Sequence, residues 1–331
     1  MTQTAPPTKP RDLQSWEDFH PDPDFYVAVK KLLKPNTKIF TMGSCFAFEI
    51  RRALREAGFP IFPHYLDTRY DPTVQIFDKV NERNSVFHYD TFVMRQEFEE
   101  VFGLRTDREA NFHPVRDAHI NRILNTDEAY QDPTRRLVYA KTLPLLKELS
   151  TAISRVTREG LEKSDVIVLT LGLTEVWPHV STTWNFCLPP GLGLGGGDNM
   201  AKFKISNFGE NYKNTKAIIE LILSHYPNKH IIMSVSPVHL ERTYAQTDVG
   251  TASTESKSIL RAVAGQVTRE YARNVTYYPA YEMAQFSRER VFGRDGRHVV
   301  PEFVNRVVGG FVGAFSVEPR RRAKNPESVA S

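Results

Sequence analysis

The run Val166-Ile167-Val168-Leu169-Thr170-Leu171 leaves this chain few choices of fold. It is apolar or β-branched at every position, so a strand there has no face to give to water. Such strands belong to a parallel sheet covered by helices on both sides. Further runs of this kind lie at Ile39–Gly43, Phe59–Pro63, His230–Val235 and Val275–Pro279. Between them the apolar residues switch to helical spacing, over Pro133–Lys163, Asn211–Tyr226, Thr254–Tyr271 and Pro301–Phe315. Alternation of strand and helix predicts an α/β fold of three layers, α/β/α, with a mostly parallel sheet. Ligands of such sheets bind beyond the carboxyl ends of the strands.

One strand end carries chemistry. Ile39 to Gly43 is β-prone, and Phe46, Ile50, Ala53, Leu54 and Ala57 follow at helical spacing. Gly43 supplies the freedom for a tight turn between them. Ser44 and Cys45 then open a helix, where unpaired N–H groups favour negative charge. A hydroxyl held there can attack a carbonyl, and the N–H groups can hold the oxyanion. Ser44 is equally suited to a plain N-cap role. Cys45 is either a thiol of lowered pKa or a small residue packed behind the turn.

The other strand ends are polar as well. Gly172, Thr174, Glu175 and Trp177 follow Leu171, and His239 follows Ser236-Pro237. Near the end of the chain Asp295 and His298 stand three apart, just before the last helix. In a turn, that spacing lets a carboxylate fix an imidazole tautomer while the other nitrogen takes a proton from a nucleophile. A solvated polar turn has the same composition. Glu175 can orient substrate or be satisfied by an arginine. Trp177 can stack on a ligand or belong to the core, and His239 is a second candidate base or an ordinary loop histidine.

The chain motifs resemble the GSCFA family, which is grouped with the SGNH/GDSL-like hydrolases. Gly43-Ser44-Cys45-Phe46-Ala47 spells the motif, and Thr170–Trp177, Ser234–Val238 and Ser256–Ala262 are similar in the same order. The resemblance spans about residues 38–315 and implies an SGNH/flavodoxin-like sheet. It implies Ser44 as nucleophile and Asp295 and His298 as its partners. SGNH enzymes are esterases, lipases, carbohydrate deacetylases or O-acyltransferases. Their oxyanion hole uses the serine N–H, a glycine N–H and an asparagine side chain. Here Thr174 stands at the asparagine position, and Tyr89-Asp90-Thr91 is the placement for the second block, which would set Asp90 near the oxyanion. The function expected is hydrolysis or transfer of an acyl ester, with a small-molecule or carbohydrate ester as partner. No cofactor is expected beyond an acyl donor such as an acyl thioester. The alternatives are a non-catalytic glycan- or protein-binding module and a Cys45-dependent acyltransferase.

Composition narrows the rest. The 43 basic and 39 acidic residues are too balanced for a nucleic-acid protein, and four of the basic ones lie at Arg320–Arg322 and Lys324. Two cysteines, Cys45 and Cys187, are too few for a disulfide framework. No metal pattern such as HExxH or C-x-x-C occurs. Gly191, Gly193 and Gly196 match G-x-G-x-x-G, but no strand enters that loop and no helix leaves it, so a dinucleotide site is not expected. The polar first residues lack the apolar core of a signal peptide and no run spans a membrane, which makes the cytoplasm the expected location.

The expected organisation is an irregular lead-in over 1–24, one domain over 25–315 and a basic tail over 316–331. Residues 64–132 read as an insertion or cap, helical or irregular. Within the domain, short helices are expected at Phe25–Leu33, from Asp71 to Lys79 and at Arg95–Phe102, strand character at Phe87–Phe92 and a loop at Asn111–Ala118.

Overall fold

Five parallel strands form the central sheet of the computed structural model: β1 (Ile39–Gly43), β2 (Ile61–Phe62), β3 (Val166–Leu171), β4 (His230–Val235) and β5 (Val275–Tyr277). Their spatial order is β2-β1-β3-β4-β5. This is a doubly wound order whose direction of winding reverses between β1 and β3. The structure describes residues 16, 27, 31–65, 74–76, 86–115, 117–136, 138–187, 189 and 199–317.

Among the described residues seven helices pack around the sheet: α1 (Cys45–Glu56), α2 (Thr91–Val101), α3 (Leu143–Lys163), α4 (Phe208–His225), α5 (Val249–Glu270), α6 (Ala280–Phe286) and α7 (Pro301–Phe315). Strand residues alternate between the two faces, as the pleat requires. Ile39, Val166, Val168 and Ile232 join Phe46, Leu54, Met283, Val307 and Phe311, so α1, α6 and α7 cover that face. Phe40, Met42, Ile167, Leu169 and Met233 join Phe98, Ile219, Leu260 and Val267, so α2, α4 and α5 cover the other. Among the described residues no helix is long and apolar enough to cross a membrane.

Two small antiparallel sheets sit beside this core. One joins residues 74–76, 138–140, 129–131 and 113–115 in that spatial order, and the other joins 204–205, 175–178 and 185–186. They correct several expectations. The long helix begins at Leu143, capped by Thr142, because Val138–Ala140 pairs with strands on both sides. Residues 113–115 are a strand rather than a loop. Residues 74–76 are a strand, against the helix read from Asp71 to Lys79, whose other residues lie outside the described set. Residues 86–90 belong to no strand, and a helix already begins at Thr91. Leu33 forms an extended bridge with Ser316, so the helix read at Phe25–Leu33 does not reach it. Apart from Trp16, the lead-in lies outside the described residues, as do the glycine loop from Gly191 to Gly197 and the tail beyond 317.

The region between β2 and α3 is tied to the core by buried charge. Glu97 of α2 accepts from Arg135 Nε at 2.9 Å and from Arg135 Nη2 at 2.5 Å, with side chains only 2% and 0% exposed. Arg135 Nη1 also donates to Ser150 of α3, on its carbonyl at 2.8 Å and its hydroxyl at 2.9 Å. Arg108 Nη2 approaches Glu97 from the other side at 3.1 Å. Burial alone would push the Glu97 carboxyl up, but Arg135 and Arg108 outweigh it and hold it well below the usual range. Removing one partner of such a pair strands the other charge in a dry interior. Arg135→Met is therefore expected to destabilise the fold by about 3–5 kcal/mol in urea unfolding, and Glu97→Leu with Arg135→Met to recover much of that loss.

Candidate active site

The turn that ends β1 exists because Gly43 has no side chain. Its φ is +151°, and a Cβ there would lie 2.1 Å from Thr170 Oγ1 and 2.4 Å from the Thr170 carbonyl oxygen. Only glycine lets β1 come this close to β3 at the point where the winding reverses. Ser44 follows as the N-cap of α1, buried, with its Oγ accepting the Phe46 N–H at 3.4 Å. The end of β3 packs directly on it: a Cβ at Gly172 would stand 3.2 Å from Ser44 Cβ and 2.4 Å from the Tyr89 carbonyl oxygen.

The segment 86–90 bonds to the ends of both strands. The His88 N–H donates to the Gly43 carbonyl at 2.8 Å, and the Leu173 N–H donates to the Tyr89 carbonyl at 2.7 Å. Helix α5 holds the residues that follow β3. Ser256 Oγ accepts the Thr174 N–H at 2.9 Å, and Lys257 Nζ donates to the Gly172 carbonyl at 2.7 Å. Lys257 is buried, and burial pulls its ammonium down to about 7.

Above this turn opens a cavity of about 480 Å³. Cys45, Tyr89, Leu173, Glu175, Trp177 and His298 are on its wall. His298 Nδ1 meets Asp295 Oδ2 at 2.6 Å, so Nδ1 carries the proton and Nε2 keeps a lone pair. The His298 hydrogen bond, then the N–H groups of Arg297 and His298, hold the Asp295 carboxyl at about 2. Arg297 Nη1 donates to His298 Nε2 at 2.8 Å, while Arg297 Nε donates to the His239 carbonyl at 3.0 Å. Burial pushes the Cys45 thiol up, against the pull of Arg297 and Lys257, which keeps it a thiol. Among the described residues no group of three or more His, Cys, Asp or Glu is gathered as a metal site.

A model of the GSCFA family matches residues 38–311. The chain belongs to the GSCFA family. No curated protein matches it. A solved structure from Streptococcus pneumonia that is named for platelet activating factor is similar at 17% identity and a TM-score of 0.28, over 45% of this chain and 58% of its own. A second solved structure is similar at 15% identity and a TM-score of 0.28, over 46% of this chain and 64% of its own. The chain thus spans about three-fifths of the length of these two structures.

In this GSCFA protein the residues singled out from the sequence do not all converge. Asp295 and His298 are paired at the cavity, and Ser44 sits at the turn beside Cys45 and Gly172, but Ser44 and His298 are not hydrogen-bonded to each other. Thr174 is not on the cavity wall: Leu173 and Glu175 line it, and Thr174 between them is buried with its backbone held by Ser256 and Ser206. Asp90 is not an oxyanion neighbour either. Its Oδ1 caps α2, accepting the N–H of Phe92 at 2.8 Å and of Val93 at 3.0 Å, and burial raises its carboxyl to about 7. His239 stands behind Arg297, with Nδ1 on Ser253 Oγ at 3.2 Å, off the cavity wall. Glu175 accepts from the Thr243 hydroxyl and the Tyr244 N–H, rather than from an arginine. Trp177 packs edge-on against Tyr244 at 4.8 Å and still reaches the cavity.

Three residues of the site were missed: Lys257, Arg136 and Arg297. For Lys257 a signal existed. It falls three before Leu260 and seven before Ala264, on the buried stripe of α5, where a lysine is out of place. Its folded pKa near 7 lies below the 10.5 of an exposed lysine, so the unfolded chain holds more protons between those values. Lys257 therefore costs stability below pH 7, and the cost fades as pH rises towards 10.5. The stability difference between Lys257→Met and the parent, followed by urea unfolding, is expected to shrink over that pH window.

Proposed function

We propose that this GSCFA protein hydrolyses or transfers an acyl ester, with Ser44 as nucleophile, His298 as its base and Asp295 as the group that orients His298. The observation that carries this reading is the pairing of Asp295 and His298 on the wall of a cavity that opens at the Ser44 turn. The Asp295 carboxylate fixes the Nδ1–H tautomer, which leaves Nε2 to take a proton. Arg297 occupies Nε2 in this conformation and has to release it before His298 can act as a base. The Ser44 hydroxyl is held only by a long 3.4 Å contact, so little opposes its rotation towards the cavity.

In this scheme Ser44 Oγ adds to the acyl carbonyl as its proton passes to His298. In the same scheme, backbone N–H groups near Ser44 and Gly172 meet the charge that develops on the carbonyl oxygen, with the Phe46 N–H joining them once the Ser44 hydroxyl turns from it. Collapse returns the proton to the leaving alcohol and leaves an acyl-serine. Water as acceptor gives an esterase, and a sugar hydroxyl gives an O-acyltransferase. The resemblance of the GSCFA motif to SGNH hydrolases makes carbohydrate acyl esters the class to test first, with an acyl thioester as donor for a transferase.

A second reading takes Cys45 as the nucleophile. It is favoured by one observation: Cys45 lines the cavity with His298, whereas Ser44 is buried and does not. The raised thiol argues against it, because the thiolate is the reactive form.

A fluorophosphonate probe followed by peptide mapping separates the readings. The expected result is a label on Ser44 that disappears in His298→Ala, with ester turnover falling by about 10³-fold or more in Ser44→Ala. A label on Cys45, retained in Ser44→Ala, would transfer the role to the thiol. Folded protein that takes no label and turns over no ester would leave a binding module on the same fold.

A further inference from the structure

Arg135 and Arg136 are adjacent and meet opposite fates. Arg135 turns into the interior, where Glu97 binds it through both oxygens. Arg136 turns to the cavity. Its Nη1 donates to the Tyr89 hydroxyl, and its guanidinium lies 5.4 Å from the Phe87 ring centroid and 5.6 Å from that of Tyr89. Its Nε is buried with no hydrogen-bond partner. Among the described residues no carboxylate forms an ion pair with it.

The acids on the same wall are engaged elsewhere. Glu49 pairs with Arg52 at 2.9 Å, and Glu241 pairs with Arg242 at 2.9 Å and approaches Arg297 at 3.8 Å. Glu175 is taken up by Thr243 and Tyr244. Arg136 is therefore a half-buried fork of five N–H donors with one of them used by a side chain. A buried donor without an acceptor costs free energy, and a cation on an aromatic wall keeps its charge for whatever enters. A planar guanidinium matches an oxyanion with two oxygens better than any neutral group does.

We propose that Arg136 is the specificity-determining residue of the cavity and binds an oxyanion, carboxylate or phosphate, carried by the ligand. The substrate is then an acyl ester bearing a negative charge; that identity rests on the acyl-ester reading above, whereas the anion site does not. The Tyr89 hydroxyl orients the guanidinium, and Phe87 and Tyr89 keep it flat against the wall.

The test is isothermal titration of the full chain with succinate and, separately, with inorganic phosphate. Binding of either is expected, with succinate alone marking a carboxylate site and phosphate alone a phosphate site. Arg136→Gln is expected to weaken that binding about 10-fold or more. If Arg136→Gln does not fold, Arg136→Lys carries the test: it keeps the charge, loses the fork and should still bind several-fold more weakly. In turnover, the preference for mono-(4-nitrophenyl) succinate over 4-nitrophenyl butyrate should fall about 10-fold in the same variants. Parent protein that binds neither anion, or folded variants that bind as tightly as the parent, would overturn the proposal. Arg136-dependent anion binding with no label on Ser44 or Cys45 and no ester turnover would uphold the anion site and sink the acyl-ester reading. A labelled Ser44 without anion binding would do the reverse.

Discussion

The site depends on an ion pair that takes no part in it. Glu97 and Arg135, both buried, lock α2 to the turn at 132–135 and to α3 through Ser150. That fixes the start of α2, and with it the segment 86–90 that leads into Asp90. Glu97 also faces His88 Nε2 at 3.4 Å. His88 and Tyr89 then make the backbone bonds that brace the ends of β1 and β3. A charge pair in a dry interior is a poor source of net stability, because desolvation consumes most of the attraction. Its value here is geometric. Two ionic partners with planar, two-pronged ends accept few relative orientations, so the segments they join have few as well.

The same economy governs the turn at Ser44. Gly43 and Gly172 are both places where a single methyl group would collide with backbone atoms, at 2.4 Å in each case. Their absence of side chains brings three chain segments within contact distance, and Lys257 pins the last of them through the Gly172 carbonyl. A buried ammonium with a carbonyl partner and no carboxylate is costly to keep charged, which is why its titration drops to about 7.

What could be read from the sequence follows from how each element is buried. β1, β3, β4 and β5 are buried on both faces, so their composition alone declares them. The short antiparallel strands do not have that signature. His113-Pro114-Val115 has an exposed middle residue and a proline, and it is a strand only because residues 129–131 lie beside it. Val138–Ala140 reads as part of a helix running from Pro133 to Lys163 until its partners are present. The Asp295–His298 spacing was legible because a carboxylate three residues before a histidine closes a local contact. Asp90 was misplaced because an aspartate before a helix is indistinguishable, one sequence at a time, from an aspartate beside a ligand. Its two N–H partners belong to the next turn of its own helix, and that outcome is the commoner one for this residue type.

The adjacent arginines mark the limit of such reading. Arg135 and Arg136 fall at the start of Pro133–Lys163, which the apolar spacing reads as one helix, although the helix begins only at Leu143. Their separation is made by a turn: Pro133 follows Asp132, Asp132 Oδ1 accepts the Thr134 N–H at 3.0 Å, and the Arg135 N–H closes on the Asp132 carbonyl at 3.2 Å. A β-turn of this kind sends successive side chains in different directions. One guanidinium is driven inward to Glu97, and the next is left over the rings of Phe87 and Tyr89, with no ion pair to an acid among the described residues. Where a protein spends acids on one arginine and withholds them from its neighbour, the second charge is free to be answered by a ligand.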